Sequence, residues 1–142
     1  MVAIDLKAED GKQAFKTLIQ FADVLLEFYR PGVLDRLGFD RKTLEPLNGG
    51  LIHGALSGYG QTGPKRLRSG HDINYIASTG AFSASGIHER PVMTWPPTAD
   101  YASAQQTVVA ILGALVVRSR SGPRCGKGAY LDISLAETML AW

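Results

Sequence analysis

Cysteine is almost missing from this 142-residue chain. Cys125 stands alone, which excludes an internal disulfide framework and a zinc site built on thiolates. Neither sign of charge dominates: 15 Lys and Arg against 13 Asp and Glu leave a net +2, a surplus too small to demand nucleic acid. The one basic cluster, Lys65-Arg-Leu-Arg68, is short and carries no interleaved aromatics, so a nucleic-acid partner is not expected. No apolar run approaches the about 20 residues needed to span a bilayer, so no membrane is expected either. The N-terminal stretch Met1-Val-Ala-Ile-Asp-Leu-Lys7 lacks the basic start and long apolar core of a signal peptide. One unpaired thiol fits a reducing, cytoplasmic compartment. Internal repeats and low-complexity segments are also lacking. What is present is ordinary globular material, 45% apolar and 20% charged, enough apolar surface to offset chain entropy and argue against disorder. The length suits one domain at most.

The N-terminal half predicts alternating elements. Val2, Ile4 and Leu6 have the period-two spacing of a short strand. Asp10 is placed to cap a helix carrying Phe15, Leu18, Ile19 and Ala22. Residues 23–29 read as a buried strand ended by Pro31-Gly32, residues 33–37 as a short helix, and Asp40 caps another reaching Leu47. Residues 51–56 form a third strand. Short connections between these elements predict an α/β fold with a parallel sheet and crossover helices.

The middle is different. Glycine totals 16 residues and concentrates here. Ser57-Gly-Tyr-Gly-Gln-Thr-Gly-Pro64 is a glycine-rich loop, followed by a short helix from His71 to Ser78. Residues 81–98 read as loop, with Pro91, Pro96 and Pro97 breaking regular structure. The strongest helix, 101–120, shows an apolar stripe of Ala104, Val108, Ile111, Leu112 and Leu115, with Arg118 and Arg120 in its last turn. A strand at 130–133 and a capping-box sequence, Ser134-Leu-Ala-Glu137, open a final helix that reaches the end of the chain.

Two residues stand out chemically. His71 lies at a helix start after the glycine-rich loop, where free amides favour a neutral imidazole able to take a proton. Asp100 directly precedes the long helix; on spacing alone it is also a good helix cap. Arg30 follows a parallel strand at its carboxyl end, where α/β sheets bind ligands, and suits a phosphate or carboxylate. The glycine-rich loop fits neither a Walker A loop nor a dinucleotide fingerprint, and reads as turn chemistry. His53 and His88 are isolated, without metal-ligand spacing, and no metal site is expected. Cys125, between Arg124 and Lys127, reads as a free surface thiol.

Taken in order, the motifs resemble the class III CoA-transferase (CaiB/BaiF) family, and within it the α-methylacyl-CoA racemase branch. The segments that carry the resemblance are Ala3-Ile-Asp-Leu-Lys7, Glu27-Phe-Tyr-Arg-Pro-Gly-Val33, Asp35-Arg-Leu-Gly38, Leu56-Ser-Gly-Tyr-Gly-Gln-Thr-Gly63, Gly70-His-Asp-Ile-Asn-Tyr75, Ala99-Asp100, Arg118-Ser-Arg-Ser-Gly122 and Leu131-Asp-Ile-Ser-Leu135. Phe28 departs from the asparagine common in the CoA-binding turn. The resemblance implies a partial large domain over residues 1–142, with N-terminal strands and a small domain missing, so the chain is expected to be a fragment of a longer protein. It implies catalysis by His71 and Asp100, inverting the carbon α to a CoA thioester. Substrate or CoA contacts would come from Arg30, Arg36, Gly70, His71, Asp72, Ile73, Asn74 and Tyr75. CoA would enter as the substrate thioester, with no separate cofactor. An interlocked homodimer acting on acyl-CoA in lipid metabolism is expected, cytoplasmic here and peroxisomal or mitochondrial in a eukaryotic relative. The alternatives are a CoA transferase using Asp100 as nucleophile, whose family counterparts usually carry another residue at the His71 position, and a non-catalytic truncated remnant.

Overall fold

A computed structural model describes residues 2–87 and 89–141; His88 lies outside the described residues. Three parallel strands form the centre, β1 (Val24–Glu27), β2 (Ile52–Ser57) and β5 (Ala129–Ser134), in the order β1-β2-β5. The register runs Leu25, His53, Tyr130 across the sheet, then Leu26, Gly54, Leu131. Between β1 and β2 the chain forms α2 (Val33–Arg36) and α3 (Arg41–Leu47); α1 (Glu9–Phe21) precedes β1. Between β2 and β5 lie α4 (Asp72–Ser78), a 3-10 turn at Ala81–Ala84, a two-stranded antiparallel ribbon of β3 (Gly86–Ile87) and β4 (Arg90–Pro91), and α5 (Thr98–Ser119). The last helix, α6, spans Leu135–Ala141. The mixed α/β architecture with a parallel sheet is the one expected.

The central strand explains the pattern. Ile52, His53, Gly54, Ala55 and Ser57 are all buried, as a strand paired on both edges and covered on both faces must be. Successive side chains point to opposite faces. His53 meets the Tyr130 ring edge-on at 4.9 Å, whereas a Cβ at Gly54 would lie 3.4 Å from Leu26 and 3.7 Å from Ile111 of α5. Glycine at position 54 therefore lets α5 approach the sheet. Ile19, Leu34, Phe39, Leu44 and Leu51 pack α1, α2 and α3 together, with Phe15 and Phe39 edge to face at 4.6 Å. A second cluster, Tyr75, Ile76, Ala99, Leu135 and Ala136, joins α4, α5 and α6.

Five expectations change. Residues 2–6 form no strand: Lys7 N–H donates to the Asp5 carboxylate at 2.9 Å, Ala8 N–H donates to Asp5 C=O at 3.2 Å, and the chain turns directly into α1. Period-two spacing makes a strand only where a neighbouring strand receives it. Asp10 lies inside the first turn of α1 and bonds the adjacent Gly11 N–H, with Ala8 at the cap position. The long helix begins at Thr98, so Asp100 is within its first turn, and Pro97 occupies the cap position.

The buried residues of α5 are also different from the expected stripe. Ala99, Ala102, Ser103 and Thr107 are buried, while Val108 and Leu112 are each 56% exposed. Small side chains let α5 lie close to its neighbours, and their hydroxyls donate back one turn, Ser103 to Ala99 C=O and Thr107 to Ser103 C=O, so no polar group is orphaned. By length and composition α5 is apolar enough to cross a bilayer, which corrects the expectation that no stretch reaches that length. Ser103, Gln105, Gln106 and Thr107 interrupt its apolar run without adding charge.

Asn48 ties α1 to the start of β2. Its Nδ2 donates to Ile19 C=O at 2.9 Å and Ala22 C=O at 2.8 Å, satisfying carbonyls at the helix end, and its Oδ1 accepts Gly50 N–H at 3.0 Å. Asn48→Ala is predicted to destabilise the chain by about 2–3 kcal/mol through loss of these bonds. The measurement is the urea unfolding midpoint at unchanged slope. Asn48→Asp, which keeps the acceptor and loses both donors, should fall nearly as far.

Candidate active site

Strand β2 delivers the chain to Gly58 at its carboxyl end, and the glycine-rich loop then returns to α4. The path is fixed by close packing rather than by phosphate-type geometry. A Cβ on Gly58 would stand 2.5 Å from the Tyr75 hydroxyl, and one on Gly70 2.9 Å from the Tyr75 ring. Both glycines are thus required for Tyr75 to lie against the loop, where its hydroxyl donates to Gly70 C=O at 2.8 Å. Tyr59 meets the Tyr75 ring edge-on at 5.2 Å. Ala136 N–H of α6 donates to Gly58 C=O at 3.1 Å, and Gln61 N–H to the Asp132 carboxylate at 3.0 Å, pinning the first part of the loop to β5 and α6.

His71 occupies the cap position of α4 with extended backbone, its N–H donating to Asn74 Oδ1 at 2.9 Å. The imidazole is exposed. Asp72 is buried, 5% exposed, and its Oδ1 accepts the Asp100 N–H at 3.0 Å. Its Oδ2 is buried without a partner. This bond draws the start of α5 to the start of α4, and so brings Asp100 to the same place as His71.

Electrostatics follows the geometry. Burial pushes the Asp100 carboxyl up from the ordinary range, the like charge of Asp72 pushes it further, and the His71 cation opposes both. The Tyr75 hydroxyl is raised by burial and by Tyr59 and Asp100, with Arg30 opposing. His71, Asp72, Tyr75, Asp100 and Arg30 therefore share one electrostatic neighbourhood. Asp100 is a carboxyl shifted toward keeping a proton, beside an accessible imidazole.

The remaining candidates divide. Gly70 and Asn74 shape the backbone around His71 and Tyr75, and Ile73 is 41% exposed on α4. Arg30 lines a cleft together with Arg66, Arg68 and Tyr75. Arg36 lies on α2 and is not among the residues lining that cleft; its guanidinium is near Gly32. In the sequence Arg66 and Arg68 belong to a short basic cluster with no evident partner. The fold brings them beside Arg30, and only the loop's return to α4 could have signalled it. His53 is buried against Tyr130, its imidazole pushed down in pKa by burial first, away from this site.

Comparison with known proteins points one way. The model of CoA-transferase family III matches residues 1–142. A CaiB/baiF CoA-transferase family protein of Caenorhabditis elegans is 43% identical over 96% of the chain, which spans 40% of that relative. Acetyl-CoA:oxalate CoA-transferase of Acetobacter aceti is 35% identical over 99% of the chain and 36% of the relative. Human alpha-methylacyl-CoA racemase is 36% identical over 96% of the chain and 35% of its own length. The crystal structure of a CaiB/BaiF family protein from Brucella suis superposes with a TM-score of 0.91 at 31% identity, covering 99% of this chain and 36% of that one. The chain thus spans well under half the length of the relatives it matches.

The coupling between the acidic residues is directly testable. Asp72→Asn is predicted to lower the Asp100 pKa by removing a like charge, and His71→Gln to raise it by removing the opposing cation. Carbon-13 carboxyl shifts of Asp100 followed against pH give both directions. An Asp100 titration that neither substitution moves would mean that the three groups do not sense one another.

Proposed function

The chain belongs to CoA-transferase family III, and from that premise we propose that it forms part of an acyl-CoA racemase that inverts the carbon α to the thioester. His71 and Asp100 are the acid/base pair. In one direction the neutral His71 imidazole takes the α-proton. The electron pair left behind delocalises into the thioester carbonyl as an enolate, and protonated Asp100 returns a proton to the opposite face. In the other direction the roles exchange: the Asp100 carboxylate takes the proton and the His71 imidazolium supplies one. The observation that carries this reading is the Asp72 to Asp100 bond. It fixes a carboxyl of raised pKa beside an exposed histidine, two groups of different charge type able to exchange protons with one substrate. Arg30 would contribute charge to the CoA portion, and CoA is part of the substrate rather than a separate cofactor. A homodimer is proposed to complete the site, in keeping with relatives more than twice as long.

A second reading keeps the same fold. Asp100 is exposed, and a carboxylate there could attack the thioester carbonyl, forming a mixed anhydride and releasing CoA thiolate. Transferases among the relatives support it. Histidine at position 71 favours the first reading, because a transferase needs no second proton-transfer group facing the α-carbon.

The deciding experiment uses the chain expressed with its flanking coding sequence and a 2-methylacyl-CoA in heavy water. Deuterium should enter at the α-carbon, and His71→Ala and Asp100→Ala should each lower two-sided exchange by about 100-fold or more, the usual worth of a positioned acid or base. A covalent adduct on Asp100 without α-exchange would overturn the racemase and establish the transferase.

A further inference from the structure

Strand β2 carries a buried polar group that the acid/base chemistry does not use. His53 is 8% exposed, and its Nε2 has no hydrogen-bond partner. The next residue, Gly54, faces α5, so His53 points to the other side of the sheet. There its ring lines a cavity between the sheet and the segment from Pro31 to Lys42. Burial pushes the imidazole down in pKa, with Asp35 opposing and Arg41 adding to the shift. A neutral ring with its proton on Nδ1 leaves a lone pair on Nε2, an acceptor with no donor to meet it.

Two carboxyl groups stand beside that lone pair. Glu27, at the end of β1, and Asp35, in α2, both line the cavity. Burial pushes the Glu27 carboxyl up, the Tyr29 N–H that it accepts opposes this, and the charge of Asp35 pushes it further. Asp35 acts on the Tyr130 hydroxyl as well, which burial, Asp132, Glu27 and Asp35 push up to about 12. Glu27, Asp35 and His53 thus form one electron-rich pole, and among the described residues neither carboxylate has an ion-pair partner. The opposite pole comes from the glycine-rich loop. Gln61 has a buried Nε2 that donates to nothing, and Arg66 is also free of ion pairs; both line the same cavity. Of the other charged groups there, Asp40 caps α3, Arg41 pairs with Glu45 at 3.7 Å, and Lys42 is exposed.

We propose that this cavity binds a free amino acid, at a site separate from the catalytic pair. A primary ammonium carries three N–H donors, and Glu27, Asp35 and His53 Nε2 supply three acceptors. The carboxylate of the same molecule accepts from Gln61 Nε2 and from Arg66. Both orphaned atoms then have partners, which removes the penalty of leaving them buried and unpaired. A simple anion would leave the two carboxylates crowding each other, and a simple cation would leave Gln61 without an acceptor. A quaternary ammonium has no N–H to give. The primary zwitterion meets every one of these demands.

The chain expressed with its flanking coding sequence is titrated by calorimetry with each of the common L-amino acids. At least one should bind saturably, and that one is compared with its deaminated acid and its decarboxylated amine. Each analogue lacks one pole and adds no bulk, and each should bind at least about tenfold more weakly, as loss of a charge-assisted contact requires. Glu27→Gln should reduce the penalty for deamination by about threefold or more, and Gln61→Leu the penalty for decarboxylation likewise. Because each penalty is a ratio within one protein, partial loss of folded material does not imitate the result. Failure of every amino acid to bind overturns the proposal. So does a binder whose two analogues bind as tightly as it does, which would make the cavity a site for a side chain alone. Penalties unmoved by both substitutions would put the amino acid elsewhere on the protein and overturn the assignment.

Discussion

A single hydrogen bond, from the Asp100 backbone N–H to the buried Asp72 carboxylate, decides where His71 and Asp100 meet. A buried carboxylate is costly unless it accepts hydrogen bonds, and the first turn of a helix is a source of donors without intrahelical partners. Asp72 at the start of α4 and the first turn of α5 answer each other's need. The consequence reaches beyond the pair. With α4 and α5 held start to start, Tyr75 and Ile76 come against Ala99, and Leu135 and Ala136 of α6 close the cluster. The loop between β2 and α4 then has a fixed return point, which is why its glycines are spent on approach to Tyr75.

The sheet supplies the other coordinate. Parallel strands deliver their carboxyl ends to one side, and the chain leaves β1 toward Arg30, β2 toward Gly58 and β5 toward α6 on that side. The Gly58 carbonyl accepts from Ala136 N–H, so the strand that carries the loop and the helix that follows β5 are joined at the point where the site begins. At the opposite end, Arg118 performs the matching task. It donates to Gly50 C=O at 2.7 Å and to the Asp23 carboxylate at 2.6 Å, binding the end of α5 to the residues that lead into β1 and β2. Helix α5 is thus anchored at its start by Asp72 and at its end by Arg118, and the site inherits its rigidity from both.

Much of this was legible in the residues, and the failures have physical causes. The apolar run into β2, the Asp40 cap, which accepts Thr43 N–H at 2.8 Å, and the short helix after His71 all follow from local chemistry. Local chemistry also misled. Pro96 and Pro97 end the preceding loop, but proline is tolerated at a helix start, so α5 begins at Thr98 and places Asp100 inside the turn. Within the apolar stripe Ile111 reaches the sheet at Gly54, but Val108 and Leu112 are exposed, and the fully buried positions are Ala99, Ala102, Ser103 and Thr107, for which close approach matters more than apolar area. Asp72 and Arg66 could not have been placed from spacing, because each acts across a connection whose path depends on the tertiary fold. The ordered motifs nevertheless carried the family, since each is short but their sequence along the chain is not accidental.

One constellation can host two chemistries because the same carboxyl serves differently according to what stands opposite it. A carboxylate of raised pKa is more basic and, at a thioester carbonyl, a better nucleophile; the same shift keeps more of it protonated and makes it a usable proton donor. The Asp72 bond and the partial desolvation of the Asp100 carboxyl therefore favour neither route alone. What separates them is whether a second proton-transfer group is available beside the carboxyl. His71 is the candidate for that place: its imidazole is exposed, its backbone is held by Asn74, and its charge is felt by Asp100. A catalyst that formed only an acyl-aspartate would gain nothing from an imidazole in that position, and would be slowed wherever the imidazolium stabilised the aspartate as an ion and blunted its attack. The coupling between the two residues is an asset when protons pass through both, which is the physical argument behind the racemase proposal.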